Sequence, residues 1–136
     1  MVNSNTIVVI GCGRLGSSIA KTLSNNGEDV LCIDNNGDAF NKLDDFSGFT
    51  AIGDATDLDF LRSLNIEKAK TIIISTYSDE INVYLGHVCF VMFSCLSVYI
   101  RLADSDKSKL LVNTPIKAIY PFLLSLNKLM DDLKED

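Results

Sequence analysis

Short apolar runs recur along the chain, each bounded by Gly, Asn, Asp or Ser and separated by longer stretches in which apolar positions return every three or four residues. The short runs are TIVVI at 6–10, DVLCI at 29–33, GFTAI at 48–52, TIIIS at 71–75, SVYIR at 97–101 and KAIY at 117–120. Six strands alternating with helices require parallel neighbours joined by right-handed crossovers, with helices covering both faces of the sheet. The pattern therefore predicts a doubly wound α/β domain built on a six-stranded parallel sheet.

The stretches between the strands carry helix punctuation. RLGSSIAKTLSNNG, from Arg14, ends where Gly27 can close a helix in the left-handed conformation. DATDLDFLRSLNI offers Asp54 or Thr56 as a cap and places Leu58, Leu61 and Leu64 on one helix face. Residues 81–100 run for twenty positions without Asp, Glu, Lys or Arg, nominally enough to span a bilayer. The alternation instead requires a buried helix, over 81–95, and then a strand. After the sixth strand, Pro121 opens PFLLSLNKLMDDLKED, where Phe122, Leu123, Leu126, Leu129, Met130 and Leu133 follow helical spacing. The chain thus divides into a sheet domain over 1–121 and a C-terminal amphipathic helix over 122–136, which packs on its own domain or crosses to a partner subunit.

Composition narrows the classes. At 136 residues and 47% hydrophobic, the chain is the size of one domain with a real core. Its formal net charge of -6 argues against a phosphate-backbone footprint and so against nucleic acid as a partner. Cys12, Cys32, Cys89 and Cys95 all sit in apolar runs, none in a CxxC pair, and read as buried reduced thiols of a reducing compartment. The opening MVNSNT lacks the basic and apolar layout of a signal peptide, which predicts a protein that stays inside the cell.

One stretch carries candidate chemistry. IVVIGCGRLGSSIAKTL places Gly11, Gly13 and Gly16 after a strand and at the opening of a helix, with Asp34 following at the end of the second strand. Gly11 permits the tight turn, Gly13 lets a pyrophosphate approach the backbone, and Gly16 lets the helix pack closely on the strand. The helix N-terminus offers free N–H groups to phosphates. Asp34 can accept hydrogen bonds from the adenosine ribose and would repel a 2'-phosphate, favouring NAD or an adenine nucleotide over NADP. Arg14, between the second and third glycines, either meets a terminal phosphate of ATP or ADP or lies in solvent beside the loop. GDATD at 53–57 falls at the same carboxyl edge, where Asp54 and Ala55 can lie beside the adenine. Ser75 and Thr76, after the fourth strand, are either hydroxyl donors to a ligand or part of the turn chemistry around a helix cap at Ser78 or Asp79. His87, the single histidine, lies mid-helix and reads as packed or surface-exposed and not as catalytic.

As a set, IVVIGCGRLGSSIAKTL, VLCIDNN, GDATD, TIIISTYSDEIN and YIRLAD resemble the regulator-of-potassium-conductance family, also called the TrkA N-terminal domain, over roughly residues 6–121. The resemblance implies a cytosolic Rossmann domain that binds NAD(H), ATP, ADP or AMP. It also implies assembly as a homodimer or higher oligomer on a membrane potassium transporter or channel subunit at the inner face of the cell membrane. Residue by residue, it implies a phosphate loop of Gly11, Cys12, Gly13, Arg14, Leu15 and Gly16, with Arg14 reaching the distal phosphates. Asp34 with Asn35 would hold the ribose, Asp54 and Ala55 the adenine edge, and Thr76 the phosphate or ribose edge. Arg101 matches a frequently basic position near a phosphate or a partner chain; on its residues alone it pairs with Asp104 or Asp106 at the surface. LLVNTPIKAIYP departs from the family, which commonly has a glycine-containing turn there, and Pro115 is expected to make the turn instead.

The expected function is therefore that of a nucleotide-sensing regulatory domain and not of an enzyme. The rival is a fragment of an NAD-dependent oxidoreductase whose catalytic domain sits elsewhere. No GxSxG, HExxH or GxxxxGK[ST] occurs.

Overall fold

The computed structural model describes residues 2–135. β1 (Thr6–Ile10) is buried along its whole length, because a central parallel strand is covered on both faces. Around it lie β2 (Asp29–Asp34), β3 (Phe49–Ile52), β4 (Thr71–Ile74), β5 (Val98–Arg101) and β6 (Lys117–Ile119), in the order β3-β2-β1-β4-β5-β6. Every pairing is parallel, with Val9 opposite both Cys32 and Ile73. This is the doubly wound order expected from the alternation, and its two halves diverge between β1 and β4.

The helices divide the core in two. α1 (Arg14–Asn25) packs Ala20 against Val9, Val30 and Cys32 on one face. α2 (Leu58–Ser63) and α3 (Asp79–Val91) cover the other, where Leu61, Leu85, Val88 and Cys89 meet Val8, Ile10, Leu31, Ile33, Ile72, Ile74 and Ile100. Each fully buried aliphatic side chain contributes about 1.5–3 kcal/mol of transfer free energy. All four cysteines are buried and free, and burial raises their thiol pKa values, Cys89 to about 12 and Cys95 to about 11. They act as small hydrophobes.

Several local expectations change in three dimensions. Two crossovers, Gly37–Lys42 and Ser105–Leu111, are 3-10 turns, since Asx caps at Asn36 and Asp104 and nearby turn residues leave too little uninterrupted chain for an α-helix. The cap of α2 is Asp57, which accepts from the N–H groups of Asp59 and Phe60, while Asp54 closes an earlier turn on Thr56. The apolar run after residue 80 divides: α3 stops at Val91, Ser94 takes a φ of 58°, and β5 begins at Val98. No helix among the described residues is long and apolar enough to cross a membrane. Asn113, at a φ of 64°, makes the turn before β6, and Pro115 only follows it.

α1 ends as its sequence predicts, with Gly27 at a φ of 89°. α4 (Pro121–Lys134) starts with Pro121 in its first turn, where a missing N–H costs nothing. It has no buried residue, so the apolar face carrying Phe122, Leu126, Leu129, Met130 and Leu133 lies exposed.

Candidate functional site

All six parallel strands deliver their carboxyl ends to one edge, and the divergence between β1 and β4 opens a crevice there. Gly11, Gly13, Asp34, Asn35, Gly53, Asp54, Ala55, Thr56, Ser75, Thr76 and Tyr77 line it with Ile10, Ile33, Ile81 and Leu85, enclosing about 190 Å³. An apolar floor with a few converging polar groups is the usual form of a small-molecule site.

The glycine loop is tightly built. Gly11 has a φ of 96°, donates its N–H to Ile33 O at 2.8 Å, and would put a Cβ 2.6 Å from Ser75 O. A Cβ on Gly16 would sit 1.8 Å from Gly11 O, so glycine there permits helix and strand to close on one another. A Cβ on Gly13 would meet only the end of the Tyr77 side chain.

Asp34 ties the loop to β2. Its Oδ2 accepts from the Cys12 N–H at 2.8 Å and its Oδ1 from the Asn36 N–H at 2.9 Å. Each oxygen retains acceptor capacity for a hydroxyl group. Asp54 uses Oδ1 for both the N–H and the hydroxyl of Thr56, and these bonds lower its pKa.

The expected site residues fall into two groups. Gly11, Gly13, Asp34, Asn35, Asp54, Ala55 and Thr76 line the crevice. Arg14, Leu15 and Arg101 instead line a shallow groove with Ser18 on the far side of Tyr77. Cys12 offers the site only its backbone, because its side chain is in the core, and Gly16 serves packing. Arg101 does not pair with Asp104 or Asp106; its guanidinium lies 5.4 Å from the centre of the Tyr77 ring, and its Nη1 is 3.5 Å from Thr76 O. Asp104 is occupied in capping the following turn. Neither Arg14 nor Arg101 has a carboxylate partner among the described residues.

The wall beyond β4 is held by Asn82, which spacing alone did not single out, together with Thr76, Ser78 and Asp79. Fully buried Asn82 accepts from the N–H and hydroxyl of Thr76, and its amide donates to Thr76 O at 3.1 Å and Arg101 O at 2.8 Å. It thereby clamps β4 to β5 at the crevice. The Thr76 hydroxyl is thus engaged in the wall, while Ser78 caps α3 through the Ile81 N–H. Asp79 accepts from the N–H groups of Ala103 and Asp104 at 2.9 and 3.0 Å and pairs with Lys107. Burial pushes the Asp79 carboxyl upward, but these partners outweigh it and hold its pKa below the ordinary value. Ser75 Oγ is buried without a partner. His87 points away from the crevice, its Nε2 2.9 Å from Leu110 O.

Comparison with known proteins adds the family context. The family model of the TrkA-N domain matches residues 7–121. The Trk system potassium uptake protein TrkA of Streptomyces coelicolor is 33% identical over 104 residues, which are 76% of this chain and 47% of that protein. The chain spans about half the length of the curated relatives it matches. Among solved structures, GsuK bound to ADP has a TM-score of 0.82 at 23% identity, covering 98% of this chain and 35% of that one. The Shewanella denitrificans Kef CTD in AMP-bound form has a TM-score of 0.72 at 19% identity, covering 96% of this chain and 80% of that one. At these identities the two structures establish the shared fold.

Proposed function

The chain belongs to the TrkA-N domain family, and on that premise we propose that its crevice binds NAD(H) or an adenine nucleotide (ATP, ADP or AMP) as a signal. The observation that carries this reading is the joining of the glycine loop to Asp34 through the Cys12 N–H. The acceptor suited to ribose hydroxyls and the turn suited to phosphates form one rigid unit.

Ribose hydroxyls reach Asp34 and Asn35, the adenine lies along Asp54 and Ala55, and phosphates meet the N-terminus of α1. Arg14 and Arg101 supply positive charge to the distal phosphates. The titratable groups lining the crevice are Asp34, Asp54 and Tyr77. Asp34 and Asp54 are engaged by backbone N–H groups, which suits binding better than proton transfer. On this reading the domain is a regulator and not an enzyme.

The bound state acts on a membrane potassium transporter or channel subunit at the inner membrane face, with the domain itself cytoplasmic. A second copy of the chain covers the apolar face of α4, where Phe122 is 66% and Leu129 54% exposed. Occupancy can bias such an assembly only if the nucleotide binds one arrangement more tightly than another.

The test is calorimetric titration of the purified protein with NADH, NAD, ATP, ADP and AMP, beside the Asp34→Ala variant. Saturable binding that Asp34→Ala weakens roughly tenfold or more is the expected result. Binding of none of the five, or equal binding by the variant, would refute the assignment.

A further inference from the structure

Tyr77 stands where the crevice should be open. A second glycine in this kind of loop leaves room for a pyrophosphate to approach the backbone. Here that room is filled: the position of a Cβ on Gly13 is 2.6 Å from the Tyr77 hydroxyl oxygen and 2.8 Å from its Cζ. The same oxygen lies 3.4 Å from the Arg14 nitrogen, in line to accept its N–H at the first turn of α1. An uncharged oxygen thus occupies the position that favours a phosphate oxygen.

Two further features agree with an obstructed site. The crevice encloses about 190 Å³, below the roughly 300–1,000 Å³ typical of ligand pockets. Ser75 Oγ, only two residues from Tyr77 and on a residue 3% exposed, is a buried hydroxyl with no partner among residues that line the crevice. Tyr77 itself is 77% exposed, so little packing opposes rotation of its side chain.

We infer that Tyr77 is a built-in competitor for the phosphate seat, displaced when a phosphate-bearing nucleotide binds. The inference rests on the crevice being the nucleotide site proposed above. Rotation of Tyr77 away from Gly13 joins the crevice to the groove that holds Arg14 and Arg101. It also breaks the stacking of Arg101 on the Tyr77 ring, releasing the guanidinium toward the incoming phosphates. Phosphate binding and the position of Arg101 are thereby coupled through one side chain.

The experiment compares ADP with adenosine, which lacks the phosphates, by calorimetry on wild type, Tyr77→Ala, Tyr77→Phe and Asp34→Ala. A weak hydrogen bond and an exposed cation–π contact together set the expected gain: Tyr77→Ala binds ADP about fivefold more tightly. Adenosine affinity stays unchanged, and Tyr77→Phe, which keeps the ring, gains less. Unchanged or weaker ADP binding by Tyr77→Ala, with Asp34-dependent binding in wild type, overturns the competitor and leaves the nucleotide site standing. An equal change for ADP and adenosine overturns it too. No ADP binding by either wild type or Tyr77→Ala overturns the competitor, and the nucleotide site falls with it when NADH, NAD, ATP and AMP fail to bind as well. The exposure of Tyr77 lets each variant at that position fold as wild type does, which circular dichroism checks.

Discussion

Replacing Gly16 by Ala separates helix propensity from tertiary packing, because the two give opposite signs. Gly16 is in the first turn of α1, and propensity alone would make Ala there more stable by up to about 1 kcal/mol. The added methyl, however, would lie 1.8 Å from Gly11 O and 2.9 Å from Gly11 C. The contact must open by more than ~1 Å to reach an ordinary separation. Neither side yields easily. Gly11 is held at a φ of 96° by its hydrogen bond to Ile33, and α1 is seated through fully buried Ala20 on Val9 and Cys32.

Overpacking of this kind costs about 3 kcal/mol, which leaves a net loss of roughly 2 kcal/mol after the propensity gain. Urea denaturation followed by far-UV circular dichroism should show a midpoint lower by about 1 M, with the slope unchanged. Two other glycines calibrate the result. Gly27→Ala meets no atom within 4 Å but keeps a φ of 89°, so it should lose only about 1 kcal/mol. Gly13→Ala meets only exposed Tyr77 and should lose less than ~0.5 kcal/mol. If Gly16→Ala matched or exceeded the stability of wild type, the tight helix-to-strand contact assigned to the third glycine would be wrong.

Other positions make independent predictions. Ser75→Ala removes a buried hydroxyl with no partner and should stabilise the ligand-free protein by about 1 kcal/mol, read as a higher urea midpoint. Asp79 has a carboxyl pKa held below its ordinary value of 3.8, so its contribution to stability is present above that value and is lost as pH falls through the lower folded value. Asp79→Asn should therefore flatten the acid limb of a stability–pH profile below about pH 4, and lower stability near neutrality by about 1–3 kcal/mol as the charge-assisted bonds to Ala103 and Asp104 are lost. Leu129→Glu puts a charge on the exposed face of α4; if a second copy covers that face as proposed, sedimentation should show a dimer for wild type and a monomer for the variant, with unchanged circular dichroism.

The sequence by itself determined the order and type of the six strands, the parallel topology, the glycine loop and the candidate ribose acceptor. Apolar periodicity and breakers act over a few residues, and an unbroken aliphatic run such as TIVVI has few ways to be buried other than as a central parallel strand. Gly27 and Pro121 were legible for the same reason, since left-handed closure and a first-turn proline depend on one residue's own covalent geometry. Tertiary structure alone decided what meets across the carboxyl edge. Tyr77 lies 63 residues from Arg14 in the chain yet beside its N–H, and Asn82 joins Thr76 to Arg101. It also moved the α2 cap to Asp57 and took Arg101 from its acidic neighbours to the Tyr77 ring. Those outcomes depend on which side chains the twisted sheet brings within a few ångströms of one another, a distance that periodicity does not encode.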